Sequence, residues 1–322
     1  MLAFTIRRLL GLVAVMFALS VLVFLIFFAT PGVDPARQMA GRNPSEETIR
    51  NIKHEFGLDR ALPVRYGLMM KHMFVSHDLV SYGSHTKVIP EIVSATPVTL
   101  SLVIGAAIVW IVFSILFGIA AAVLRGTFWD PLLMVLALIG ISVPVFWLGE
   151  VVNLLTQSRW HHFFLFSWVP PLGYTPLTQD PFGWFKQMVF PWLTLSVLYV
   201  GFYARVLRAN LIETESEDYV RTARAKGISE RRVLVRHNLR NSLITFVSLF
   251  GLDFGVLVAG GALLTEVVFG LPGVGLLTYN SLQSLDLPVI MTTVVYAAFF
   301  ITLASALVDL LYAWLDPRVR PT

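Results

Sequence analysis

Apolar runs of membrane-crossing length alternate with polar stretches along the chain. The first run, 9–29, follows Arg7 and Arg8. It is close to the roughly 20 residues a spanning helix needs and longer than the about 7–15 apolar residues of a secretory signal. It ends at Thr30-Pro31-Gly32, with no small-residue cleavage pattern. Further runs lie at 97–124, 131–156, 190–207, 242–268 and 289–315. The pattern predicts an all-α polytopic membrane protein with six transmembrane helices. The first run is predicted to be uncleaved, with its amino end in the cytoplasm.

The polar intervals divide the chain further. Residues 1–30 form the first helix, 31–95 an external insertion, 96–315 the membrane core and 316–322 a cytoplasmic tail. Within the insertion, Asn43-Pro44-Ser45-Glu46 reads as a capping box with Asn43 as N-cap. Ile49, Ile52 and Phe56 then share a face, Gly57 ends that helix, and a second begins near Pro63. Pro144 is expected to kink the third span. Trp160, Trp168 and Trp184 in the 157–189 loop suit a membrane-surface aromatic belt.

Charge fixes the predicted sidedness. The segment 205–240 holds nine Lys or Arg residues, whereas 269–288 holds none. Arg318 and Arg320 follow the last run. An even number of spans puts these dense basic segments, and both termini, on the cytoplasmic side. Arg205 and Arg208 are expected to snorkel to that interface. The insertion's eight Lys and Arg do not oppose this, because long loops translocate largely regardless of charge. Hydrophobic residues make up 56% and charged residues 14%, with mean hydropathy +0.74. A soluble domain carries about 25% charged residues. The net charge of +4 therefore reflects topology, and no nucleic-acid partner is implied. Absence of cysteine excludes disulfides and cysteine metal sites.

The polar, basic stretch from Glu217 to Asn241 separates two apolar runs. It reads as two short helices. Ala223 and Ala225 favour the first, Gly227 closes it as C′, and Ser229 is the expected N-cap of the second. Small residues on one side would let another backbone approach, and positive charge would favour an acidic partner.

Asp218-Tyr219-Val220-Arg221-Thr222-Ala223-Arg224-Ala225-Lys226-Gly227 resembles the cytoplasmic loop of binding-protein-dependent ABC importer permeases, in the dipeptide, oligopeptide and nickel branch. Ala223, Gly227 and Leu239 hold positions of the family pattern, while Arg221 and Thr222 depart from its Glu and first Ala. The external Gly57-Leu58-Asp59-Arg60 with Pro63 and Tyr66 adds to the resemblance. So do Ile141–Gly149, the run Glu266-Val267-Val268-Phe269-Gly270-Leu271-Pro272-Gly273-Val274-Gly275, and 309–318. The glycines and proline of the 266–275 run also permit a tight re-entry of the chain.

The resemblance implies a type I importer permease that forms half of a translocation path. Its implied partners are a second homologous permease, two ATPase subunits or domains, an extracytoplasmic solute-binding protein and membrane lipid. The implied setting is a bacterial inner membrane. ATP and magnesium would sit on the partner ATPases, with no cofactor on this chain. Asp218, Tyr219, Arg221, Ala223, Arg224, Ala225, Lys226 and Gly227 would form the ATPase-coupling loop. Peptides or nickel would be the cargo.

No Gly-x-x-x-x-Gly-Lys-Ser/Thr phosphate loop occurs here. A serine hydrolase is disfavoured, since Gly140-Ile141-Ser142-Val143-Pro144 ends its near-match in proline. An intramembrane aspartyl protease would need Asp253 and Asp309 to share a proton. The predicted spans place them roughly 8 Å apart in depth. Asp253 instead either faces the path, where it would accommodate a peptide amino group, or is a hydrogen-bonded structural carboxylate. Pro144, Glu150 and Asn153 are further path candidates. His54, His72, His77, His85, His161 and His162 are expected on external loops, and no metal site is predicted.

Overall fold

The computed structural model describes residues 2–28, 36, 37, 40, 45–55 and 57–315, with side chains described except at 2–9, 27, 28, 52, 55, 159 and 309–315. The described part is helical, with one isolated antiparallel bridge, Val80 to Lys87. Helix α1 is Leu2–Phe28, followed by α2 (Glu46–Glu55) and α3 (Leu62–Phe74) of the insertion. Helix α4 (Val88–Val123) precedes α5 (Trp129–Ser142), α6 (Val145–Gln157), α7 (Pro181–Glu215) and α8 (Asp218–Ala225). Then come α9 (Glu230–Gly261), α10 (Leu263–Phe269), α11 (Val274–Ser284) and α12 (Leu287–Leu315).

Helices α4, α7, α9 and α12 are each long and apolar enough to cross a membrane. The pair α5–α6 is bent by 96° and the pair α10–α11 by 88°. Taking α1, apolar over Leu10–Ile26, and the bent α5–α6 pair as crossing gives the expected six spans, and α10–α11 is then read as a re-entrant pair. The break after α5 has a backbone cause. A residue preceding proline is pushed out of the helical region. Val143 accordingly sits at φ −82°, ψ 123°, and Pro144 starts α6 from the N-cap position at φ −61°, ψ 129°. The expected kink is thus a near-right-angle corner.

Other boundaries also move. The second span starts at Val88 and carries Pro97 inside the helix, as membrane helices can when neighbours satisfy the freed backbone. Helix α7 begins at Pro181 because Asp180 caps it, accepting from the amides of Phe182 at 3.1 Å and Gly183 at 3.0 Å. The fifth span stops at Gly261, and the expected 269–288 loop contains α11. In the insertion, Ser45 caps α2 by accepting from the Thr48 amide at 3.1 Å, so α2 starts at Glu46. Asn43, Pro44 and Phe56 lie outside the described residues.

Helices α4 and α7 form the centre. Trp110 of α4 is fully buried and stacks on Tyr199 at 4.5 Å. It also meets Tyr203 and Phe250, each at 4.8 Å. Trp192 donates to the Ser101 carbonyl at 2.9 Å. At one end of α7, Arg208 makes a two-pronged bond to Asp130 on α5, both arms 2.7 Å. Arg208 is thereby pinned to a carboxylate rather than left to snorkel. The insertion docks on α1, where the hydroxyls of Tyr66 and Ser20 meet at 2.7 Å. Its last loop docks on Asp286, which accepts from Ser81, the Tyr82 amide at 3.1 Å and the Gly83 amide at 3.0 Å.

The 266–275 run has its own lock. Glu266 is fully buried, and its Oε1 accepts from Thr99 at 2.7 Å. Its Oε2 accepts from the Leu276 amide at 3.0 Å, in the first turn of α11. Thr99 in turn accepts from the Val274 amide at 2.9 Å. One carboxylate thus joins α10, α4 and the start of α11, where an anion also suits the helix dipole. A Cβ at Gly273 would overlap the Glu266 carboxyl group, so a side chain there must push that carboxylate out of its bonds. Glu266→Ala leaves the Leu276 amide without its acceptor and should cost about 2–4 kcal/mol. Gly273→Ala should lower the thermal unfolding midpoint of the purified chain strongly in wild type, but much less in a Glu266→Ala background. Equal losses in both backgrounds would show that the clash is not with Glu266.

Candidate coupling loop and transmembrane path

Helix α8 is short, so its caps matter. The Gly227 amide bonds the Arg224 carbonyl at 2.9 Å, and the Ile228 amide bonds the Ala223 carbonyl at 3.3 Å. This paired closure needs a left-handed residue, and Gly227 supplies it at φ 75°. Ile228 then packs against Val220, Ala223 and Val233. Val220 and Ala223 are three apart, hence on one helix face. That face turns inward onto α9. Ala223 is therefore buried within the chain, not presented outward, and no atom approaches the place where a Gly227 side chain would point. Glycine at 227 is required by backbone conformation here. Ser229 occupies the N-cap position of α9, but its side chain makes no cap bond.

The outward face carries Asp218, Tyr219, Arg221, Thr222, Ala225 and Lys226, all exposed. Arg221 and Asp218 approach to 3.6 Å, and the Tyr219 hydroxyl accepts from Asn241 at 3.2 Å. Arg224 behaves differently. It binds Glu230 through two bonds of 2.9 and 3.1 Å, and Glu215 through one of 2.7 Å. Those two carboxylates, Glu230 first, push the guanidinium further above its ordinary range. Glu215 ends α7 and Glu230 begins α9. One side chain of α8 therefore ties together two membrane-crossing helices.

The path candidates separate. Asp253 is half-buried on α9, and its Oδ2 accepts from the buried Tyr203 hydroxyl at 2.6 Å. Its carboxylate is thus a hydrogen-bonded one, whatever else it faces. The packing of α9 on α12 brings Gly251 against Val308 and Gly255 against Ala304. Asp253 lies level with residue 306, about 4.5 Å from the level of residue 309. The side chain of Asp309 is outside those described. Pro144 and Glu150 are exposed on the surface of this chain. Asn153 is turned inward instead, donating to the Val268 carbonyl at 2.8 Å and tying α6 to α10.

On the insertion, His72 donates to Asp78 at 2.7 Å. Bonds from Ser76, then His72, hold the Asp78 carboxyl down at about 2. Among the described residues, no three His, Asp or Glu side chains are grouped to hold a metal ion. Sequence reasoning missed three carboxylates that link separate helices or loops: Glu266, Asp286 and Asp130. Only Glu266 had a readable signal, as a carboxylate just before a Pro-Gly-x-Gly turn.

Comparison with known proteins agrees over the whole chain. The family model for the binding-protein-dependent transport system inner membrane component matches residues 114–321. The model for the amino-terminal part of such membrane components matches 1–103. A peptide transport system permease protein of Brucella abortus is 36% identical over 320 residues, covering 99% of each chain. The glutathione transport system permease protein GsiC of Salmonella typhimurium is 38% identical over 320 residues, again 99% of each. The chain belongs to the binding-protein-dependent transport system inner membrane component family, and is a multi-pass permease subunit of an ABC importer.

Proposed function

We propose that this permease forms half of the path of an ATP-driven importer of di- or oligopeptides, and that α8 is the helix gripped by the ATPase. The peptide assignment follows the names of its relatives. A second, homologous permease would complete the path, two ATPase subunits holding ATP and magnesium would bind inside, and a solute-binding protein would deliver cargo outside. The distribution of basic segments supports a cytoplasmic side for both termini and α8.

The observation that carries the reading is the Arg224 clamp. A push on the exposed face of α8 can pass to α7 through Glu215 and to α9 through Glu230, alongside the short chain links and the packing of Val220 and Ala223 on Val233, because one guanidinium holds both carboxylates. Tyr219, Arg221, Ala225 and Lys226 would meet the ATPase. Ala223 and Gly227 would serve by keeping α8 folded onto α9. The path itself would be lined by Asp253, with Tyr203 fixing its orientation, and by the exposed side of α6 at Pro144 and Glu150. Asp253 would receive the amino group of a peptide.

Each part has its own measurement. Charge reversal on the exposed face, Arg221→Glu with Lys226→Glu, should cut uptake by about tenfold or more and loosen the ATPase from the purified complex. Uptake at wild-type level would refute docking through this face. Arg224→Gln should leave ATPase retention intact while uptake per ATP hydrolysed falls, since grip and transmission are separate. Asp253→Asn should reduce uptake of free peptides more than that of amino-blocked ones. An equal effect on both would return Asp253 to a purely structural role.

A further inference from the structure

Four arginines at the start of α9 have no use in the coupling scheme. Arg231, Arg232, Arg236 and Arg240 line a groove of about 650 Å³ together with Ser229 and Val235. All four are exposed, and among the described residues none forms an ion pair. The nearby acid Glu230 is already held by Arg224. Local backbone geometry gathers the four. Positions five apart on a regular α-helix diverge by about 140°. Between Arg231 and Arg240 the chain makes a wider π turn, Leu234–Asn238, which swings Arg236 back toward Arg231.

Depth says what such a groove meets. Arg240 and Asn241 are the last strongly polar residues before the apolar part of α9. Arg236 lies about 6 Å below Arg240 along the axis, and Arg231 about 13 Å below. The polar layer of a bilayer is about 5–8 Å thick on each side. Arg236 and Arg240 therefore stand at headgroup level. Val235, 56% exposed among the arginines, adds an apolar contact that glycerol or an acyl ester can use and a hydrated free anion cannot. The Ser229 hydroxyl makes no cap bond and remains a donor.

We propose that this groove binds the phosphate headgroup of an anionic phospholipid of the cytoplasmic leaflet, with Arg236 and Arg240 as its principal contacts. Guanidinium groups match phosphate oxygens in paired geometry. Basic pockets at the cytoplasmic ends of membrane helices are suited to such headgroups. The inference rests on the sidedness used above, and not on where the ATPase docks. A lipid bound here would brace the base of α9 beside the coupling helix.

Native mass spectrometry of the full chain, delipidated together with its co-purifying subunits, provides the test. Phosphatidylglycerol should bind, and phosphatidylcholine should not. Arg236→Gln with Arg240→Gln should weaken phosphatidylglycerol binding about thirtyfold, at roughly fivefold per arginine. The paired lysine substitutions should retain most of it, which also controls for folding. Millimolar inorganic phosphate should fail to displace the lipid. Displacement by phosphate would identify a soluble-anion site and overturn the lipid assignment. Equal binding of both lipids, or undiminished binding by the glutamine variant, would overturn it as well. Loss of ATPase subunits from the glutamine variant with lipid binding unchanged would identify the groove as a protein contact.

Discussion

Removing a carboxylate from water is costly unless protein groups replace the lost hydrogen bonds. In this chain that constraint turns acids into joints. Asp130 binds Arg208 and fastens α5 to α7. Asp253 accepts from Tyr203 and fastens α9 to α7. Glu266 fastens α10 to α4 and to the start of α11. Asp286, buried at the α11–α12 junction, holds the last loop of the insertion. Lipid tails give helices no hydrophobic reason to prefer each other, so packing and such polar bonds must do the selecting. Three of the four joints lie at helix ends or corners, where backbone groups are also short of partners. The same residues thereby satisfy the backbone and choose the neighbour.

The spans were legible because the bilayer imposes their length and apolarity on the sequence directly. The corners were less so. Pro144 announces a break, but the 96° angle at that corner goes with Gly149 and Asn153 packing against α10, which no local pattern reveals. The run after Glu266 reads as a loop because proline and glycines dominate it, yet α11 starts within it, its first turn held by a side chain one element back. Helix α8 shows the opposite case. Its residue types and its glycine stop were readable, and a 3.6-residue period puts Val220 and Ala223 together. Which way that face turns depends on Val233 and Ile228, and a small residue alone does not say whether the close neighbour is another protein or the same chain. Asp286 and Asp130 carried no local signal, because their partners are distant in sequence.

On the proposed coupling reading, the joints also decide which arm moves as a unit. Helix α7 runs 35 residues without interruption and is bonded to α5 through Asp130 near its cytoplasmic end. Displacing its base therefore carries α5 with it. Helix α9 is softer, because wider turns occur at Leu234–Asn238 and again at Leu257–Gly261, where Gly260 leaves helical geometry. Such π turns are rare within helices and often mark functional sites. A push at α8 reaches both helices through Arg224, but α7 transmits it as rotation while α9 can absorb part of it as bending. The Asp253–Tyr203 bond lies between those two responses, on the core face where α7 and α9 meet. Unequal motion of the two arms must load that bond, so the one carboxylate proposed to meet cargo is also where the two arms would shear.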